Sequence, residues 1–166
     1  MRRMRSQAAR LALCWISAAV SGCRDGVTSE QAALAGAGAG MELASSMLGS
    51  SGSFVDFDGK GAPDLLVGAP HARRGDALGA VFVHLDGKDG PPGAVLTGGR
   101  DFGGVVADVG DVDGDQVRDY AVAAIHGDTD AAALSGSVAV YAGGRRGELL
   151  GELGGRSAAS KFGFAI

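Results

Sequence analysis

The sequence has few of the residues and motifs on which enzyme active sites are commonly built. Its 166 residues include two cysteines, three histidines and one tryptophan. It contains no Gly-x-Ser-x-Gly elbow, no glycine-rich phosphate loop and no zinc signature. These absences argue against a serine hydrolase, a nucleotide-dependent enzyme and a zinc protein. The sequence therefore predicts a protein that is not an enzyme.

Aromatic residues are also scarce, at 5% of the chain, whereas glycine occurs 30 times. After the first 22 residues no long helical period is present, and short apolar runs alternate with clusters of Gly, Asp and Pro. Glycine supplies the positive φ angles that tight turns between strands require. The pattern predicts an all-β fold whose core relies on Val, Leu and Ala.

The N-terminus has the layout of a secretory signal peptide, predicted to span residues 1–22. Four arginines precede the short apolar run Leu11–Ala19, which is too short to span a membrane, and small residues follow. Val20-Ser-Gly-Cys23 resembles the lipobox of bacterial lipoproteins, which implies a lipid on Cys23 that attaches the exported protein to a membrane of the cell envelope. The alternative is an ordinary signal peptide and a secreted protein.

The charge of the chain changes when this leader is set aside. Four of the 15 basic residues and none of the 19 acidic ones lie in it, so 11 basic and 19 acidic residues remain, a formal charge of −8. An acidic protein is a poor partner for nucleic acid and a good one for cations. Residues 23–47, rich in Ala, Gly and Ser, are predicted to be a flexible, lipid-anchored tether.

Residues 111–119, here called the second acidic loop, place a carboxylate at alternate positions around Gly114. Asp111, Asp113 and Asp115 can converge on one centre and supply the hard oxygen ligands that Ca²⁺ requires. An EF-hand would place a Glu at the twelfth position, but Val122 stands there, inside an apolar run. We therefore expect a calcium loop that leads into a β-strand.

A similar loop, residues 56–64 or the first acidic loop, lies 55 positions earlier. Leu48-Gly49, Phe102-Gly103 and Phe162-Gly163 mark the starts of successive units, at offsets of 54 and 60. Repeats of this length made of short strands are typical of β-propeller blades or another repeated β unit. The predicted strands are Ser50–Val55, Asp64–Gly68, Ala80–Leu85 and Ala94–Thr97 in the first unit and Gly103–Asp108, Asp119–Ile125, Ser137–Tyr141 and Glu148–Leu153 in the second.

The Phe-Gly pairs, Gly68-Ala69-Pro70 and the acidic loops between them resemble the FG-GAP repeats of the integrin α β-propeller and of related bacterial surface proteins. Two departures are Leu48 in place of Phe and Ala123–Ile125 in place of Gly-Ala-Pro. The resemblance implies propeller blades of four short antiparallel strands, with repeats at residues 48–101 and 102–161 and the start of a third at 162–166. Two blades cannot close a ring, so we expect a fragment of a longer polypeptide. The alternatives are a truncated gene product and a piece that completes the ring by association.

The resemblance also implies which atoms bind Ca²⁺ in the second acidic loop. Asp111, Asp113, Asp115 and Asp119 match the positions that supply carboxylate oxygens, and Val117 matches the position that supplies a backbone carbonyl.

In the first acidic loop Lys60 occupies a ligand position, and an ammonium group cannot bind a cation. Either Asp56, Asp58 and Asp64 bind calcium weakly, or Lys60 replaces the ion with an internal salt bridge.

Taken with the export leader, the resemblance implies a calcium-binding propeller segment that acts as a cell-surface binding or adhesion module. Its ligand is expected to be a protein or a glycan, and its membrane contact is expected to be the lipid on Cys23. Two alternatives remain open. The chain is a non-catalytic propeller appendage of a larger extracellular enzyme, or it is a structural envelope protein without a specific ligand.

Overall fold

The computed structural model describes residues 41–86, 92–144 and 148–166. The predicted signal peptide, Cys23 and most of the predicted tether lie outside these ranges. Eight β-strands and no helix occur in the described residues, so none of their segments is a helix that could cross a membrane.

The strands form two four-stranded antiparallel sheets in which sequence neighbours are also neighbours in space. The first sheet contains β1 (Gly52–Val55), β2 (Asp64–Ala69), β3 (Ala80–His84) and β4 (Ala94–Thr97), and the second contains β5 (Phe102–Gly110), β6 (Asp119–Ala124), β7 (Ser137–Tyr141) and β8 (Leu149–Gly154). This confirms the all-β prediction of two propeller blades in an unclosed ring. Each predicted strand is present, with ends that differ by at most two residues.

The two sheets pack face to face around one apolar core, whose buried members are Phe57, Leu66, Val81, Val83, Phe102, Val106, Tyr120, Val122 and Ala124. The few aromatic residues concentrate here: the rings of Phe57 and Tyr120 meet edge to face at 5.2 Å, and those of Tyr120 and Tyr141 stack at 5.6 Å. The core therefore depends on aromatic contacts as well as on the expected Val, Leu and Ala.

The opposite face of the first sheet is covered by the chain that precedes it. Met41, Leu43 and Leu48 pack against a buried cluster that includes Phe82. The amide of Glu42 donates a 2.7 Å hydrogen bond to the carbonyl of Arg73. The last residues of the stretch expected to be a tether thus take part in the packing of the first sheet.

The Phe-Gly pair at the start of the second sheet has a clear packing role. Phe102 is buried in the core between the sheets. Gly103 has a φ of +89°, and a Cβ at this position would lie 2.4 Å from the carbonyl oxygen of Ala80 in the first sheet. Glycine is required here because no side chain fits between the two backbones. Gly163 repeats the arrangement, with a φ of +85° and contacts to the second sheet.

We expect Gly103→Ala to lower the free energy of unfolding by about 2 to 4 kcal/mol, because the added methyl group overlaps a backbone carbonyl at a left-handed φ. The matched control is Gly99→Ala, since no atom lies within 4 Å of a Cβ at Gly99. It should change stability by less than about 0.5 kcal/mol. Urea denaturation of both variants measures the difference, and equal losses would contradict the packing role.

Candidate metal centre

The second acidic loop connects β5 to β6 and brings three carboxylates together. One oxygen from each of Asp111, Asp113 and Asp115 lies within 4.8 Å of the others. Asp111 and Asp113 are exposed, and Asp115 is partly buried. A cluster of carboxylate oxygens open to solvent is a donor set that suits a hard cation such as Ca²⁺. Three of the sequence-predicted ligands are therefore close enough to share one ion.

Backbone hydrogen bonds to Asp111 hold the loop in its turn. Its Oδ1 accepts from the amides of Gly114 at 2.7 Å and Asp115 at 3.1 Å, and its Oδ2 accepts from the amide of Gln116 at 2.9 Å. Gly114 and Gln116 both have positive φ angles, of 84° and 70°. The chain reverses around Gly114, as the spacing of the carboxylates requires.

Asp119, the first residue of β6, has a different environment from the other predicted ligands. Its side chain is fully buried, its Oδ2 accepts the amide of Val112 at 2.7 Å, and its Oδ1 accepts the amide of Gly143 at 2.9 Å. The carboxylate thus connects the second acidic loop to the turn that follows β7. A ligand role for Asp119 stays a prediction, whereas its role in holding two loops together is visible in these bonds.

Val117, the predicted carbonyl ligand, is the residue of the second acidic loop that faces the first acidic loop. Its amide donates to Asp115 Oδ1 at 2.8 Å. A Cβ at Gly59, in the first acidic loop, would lie 3.3 Å from Val117 Cγ2. Next to this contact the amide of Gly144 donates to the carbonyl of Phe57 at 2.6 Å. The acidic loops of the two sheets therefore lie against each other.

The first acidic loop connects β1 to β2 and also gathers three carboxylates. Oxygens of Asp56, Asp58 and Asp64 lie within 4.8 Å of one another. Asp64 is fully buried, and its Oδ2 accepts the amides of Phe57 at 2.8 Å and Asp58 at 3.1 Å. Its Oδ1 accepts the amide of Asp86 at 2.6 Å. Burial raises the pKa of Asp64, and these backbone hydrogen bonds oppose that rise.

Lys60 is the main chemical difference between the two acidic loops, because the second loop has Asp115 at the same position. Its Nζ lies 2.5 Å from Asp58 Oδ2, and the hydrogen bond and charge attraction between these groups raise the pKa of Lys60. Of the two alternatives drawn from the sequence, the internal salt bridge is present in the structure. Whether the first loop also binds calcium stays a prediction.

One polar cluster was missed by sequence reasoning, which found no zinc signature and drew no site from the three histidines. Asp101 lies in the segment between β4 and β5. Its Oδ1 is 3.3 Å from His71 Nε2, and its Oδ2 is 2.6 Å from His126 Nδ1. His71 and His126 are 55 positions apart, the same offset as the acidic loops, and this equivalence is the signal that could have paired them. A cavity of about 410 Å³ lies beside His71 and Asp101.

Asp119→Ala should lower the free energy of unfolding by about 3 kcal/mol in the presence of a chelator, because two amides in the loops then lose their acceptor. Asp113→Ala, which truncates an exposed carboxylate of the same loop, serves as the control and should change stability by less than about 0.5 kcal/mol under these conditions. Urea denaturation with chelator measures both. Similar losses for the two variants would mean that Asp119 has no special structural role.

Comparison with known proteins agrees with this geometry. The family model for the FG-GAP repeat matches residues 48–84, which include the first acidic loop, β2 and β3. The chain is 34% identical to integrin alpha-4 of Xenopus laevis over 137 residues, covering 77% of this chain and 13% of that protein. It is 38% identical to integrin alpha-5 of Xenopus laevis over 98 residues, covering 52% of this chain and 9% of that protein.

Human integrin alpha-IIb is 38% identical over 100 residues, covering 52% of this chain and 10% of that protein. The chain spans about a tenth of the length of these relatives, so the likeness concerns the repeat region and not the whole integrin chain. Both the matched repeat and the two sheets bear out the resemblance drawn from the Phe-Gly pairs and the acidic loops. The chain therefore carries an FG-GAP repeat at residues 48–84, is similar to the repeat region of integrin α chains, and has sheets of the β-propeller type.

Proposed function

We propose that this chain is an exported, calcium-binding β-propeller segment that acts as a non-catalytic binding or adhesion module at the cell surface. The observation that carries the proposal is the convergence of three carboxylates within 4.8 Å in the second acidic loop of a chain related to integrin α subunits. Neither fact alone assigns a function, because exposed acidic groups are common and folds host many activities.

The donor set of the second acidic loop fits Ca²⁺ better than a transition metal. Asp111, Asp113, Asp115 and Asp119 offer only oxygen, and Val117 would add a backbone carbonyl of the same hardness. Imidazole and thiolate, which suit zinc or copper, are absent from residues 111–119. Bound calcium would neutralise part of the repulsion among the carboxylates.

The contact between the acidic loops gives a calcium site a structural consequence. Val117 lies against Gly59 of the first acidic loop, so a restriction of the second loop would also restrict the junction between the two blades. Asp119 carries the same restriction to the turn after β7, because its carboxylate holds Gly143. Calcium binding would therefore stabilise the junction of the blades as well as one loop.

A binding role follows from the kind of surface that a propeller offers. The loops between strands are displayed at the edges of rigid sheets, a common arrangement for recognition surfaces. Integrin α chains are the relatives that the sequence matches, and this likeness favours a protein or a glycan as the ligand over nucleic acid. The formal charge of −8 outside the predicted leader agrees with that choice.

Cys23 is the proposed point of membrane attachment. It follows the small residues at the end of the leader, where lipid modification of the thiol would hold the exported domain at the membrane of the cell envelope. Cleavage without lipidation would instead release the domain as a secreted protein.

Saturating calcium is expected to raise the melting temperature by roughly 5 °C or more, because a ligand that binds only the folded state stabilises it. Asp113→Ala should abolish most of this rise by removing a ligand. The control is Asp130→Ala, which removes an equally charged, exposed Asp outside both acidic loops and should keep the full rise. Scanning calorimetry with calcium and with chelator measures the effect, and an equal melting temperature of the wild-type chain in both would contradict the calcium assignment.

Cys23→Ser should move the protein from the membrane fraction to the soluble fraction and abolish labelling with a fatty-acid analogue. Cys14→Ser provides the control, because Cys14 lies in the predicted leader and would be removed with it. Fractionation and labelling of cells that express each variant measure the outcome. Retention of Cys23→Ser in the membrane fraction would rule out this anchor.

A further inference from the structure

The two acidic loops have the same backbone arrangement. In both loops the amide of the fifth residue donates hydrogen bonds of 3.1 Å to the first and third Asp. In the first loop the amide of Lys60 donates to Asp56 and Asp58. In the second loop the amide of Asp115 donates to Asp111 and Asp113. The amide of the sixth residue, at positive φ in both loops, donates to the first Asp: Gly61 at 2.7 Å and Gln116 at 2.9 Å. The loops therefore offer a comparison of side chains within one molecule.

The fifth residue changes the charge of an otherwise matching cluster. The first acidic loop has three carboxylates and the Lys60 ammonium, which gives a formal charge of −2. The second has four carboxylates, which gives a charge of −4. Arg118 is left out of this sum because it pairs with Asp108 of β5. One Ca²⁺ would bring the second cluster to −2, the charge that the first cluster already has. Lys60 thus supplies part of the neutralisation that the second loop would obtain from a metal.

The position of the Lys60 side chain fits this role. Its Nζ lies 2.5 Å from Asp58 Oδ2, and the Lys60 side chain is 63% exposed while that of Asp58 is only 9% exposed. The long side chain therefore bends toward Asp58 while most of it remains exposed to solvent. An ammonium group in this position occupies one of the carboxylate oxygens and repels an approaching cation.

We propose that the Lys60 ammonium is the built-in counter-ion of the first acidic loop, so that this loop is ordered without calcium and excludes it. The second loop, with Asp115 at the same position, remains the calcium-dependent one. The contrast between the loops rests on the proposed calcium site in residues 111–119. The contact between Lys60 and Asp58 is observed in the first loop and does not depend on that site.

Amide solvent exchange measured by NMR on the full chain tests the proposal, with Gly61 and Gln116 as equivalent reporters. In chelator, after correction for intrinsic rates, Gly61 should exchange at least about threefold more slowly than Gln116. Added calcium should slow Gln116 and leave Gly61 unchanged. Lys60→Met removes the ammonium and keeps an unbranched side chain, and it should speed exchange at Gly61 in chelator about threefold. Lys161→Met, at the far end of the second repeat, is the control and should leave Gly61 unchanged.

Two results would overturn the inference. One is an unchanged Gly61 rate in Lys60→Met in chelator, and the other is a slowing of Gly61 by calcium in the wild-type chain. A Gln116 rate that does not respond to calcium would instead refute the proposed calcium site, while the comparison of Lys60→Met with wild type in chelator would still decide the role of Lys60. The two proposals can therefore fail separately.

Discussion

Each blade depends on one buried carboxylate at the start of its second strand. Asp64 and Asp119 are fully buried, and burying a charged group is costly unless hydrogen bonds compensate for the lost water. Backbone amides provide that compensation: Asp64 accepts three and Asp119 accepts two. These amides come from the acidic loop and from the turn after the third strand. One side chain thus joins two loops that the sheet would otherwise leave apart, and the carboxylates of the acidic loop are gathered above it.

The two blades share these backbone hydrogen bonds but differ in the side chains of their acidic loops. In the second blade, Asp111, Asp113 and Asp115 form a purely anionic cluster, whereas in the first blade Lys60 brings a cation of its own. The shared hydrogen bonds to backbone amides explain why such a change is tolerated. The turn depends on the first and last Asp of the loop, and the fifth position can vary without loss of the backbone conformation. The proposed metal dependence of one repeat therefore need not extend to its neighbour.

Much of the fold could be predicted from the sequence, because turns rich in Gly and Asp bound each strand and because the pattern recurs after 55 positions. The acidic loops were visible for the same reason, since their chemistry lies within nine consecutive residues. The hydrogen bond from the amide of Gly143 to Asp119 was not predictable, because Gly143 lies 24 positions away. The pairing of Asp101 with His71 and His126 was hidden for the same reason. The packing of Met41 and Leu43 was obscured by the low-complexity sequence before them.

The Phe-Gly pair makes the boundary between blades different in space from the boundary in sequence. Phe102 and Gly103 open the second repeat, yet the ring of Phe102 lies in the core shared with the first sheet and Gly103 passes against Ala80. Excising a single repeat at its first residue would strip its neighbour of a large apolar side chain and leave a hole there. Duplication or shuffling of such units preserves their packing only when the dipeptide that follows a unit travels with it.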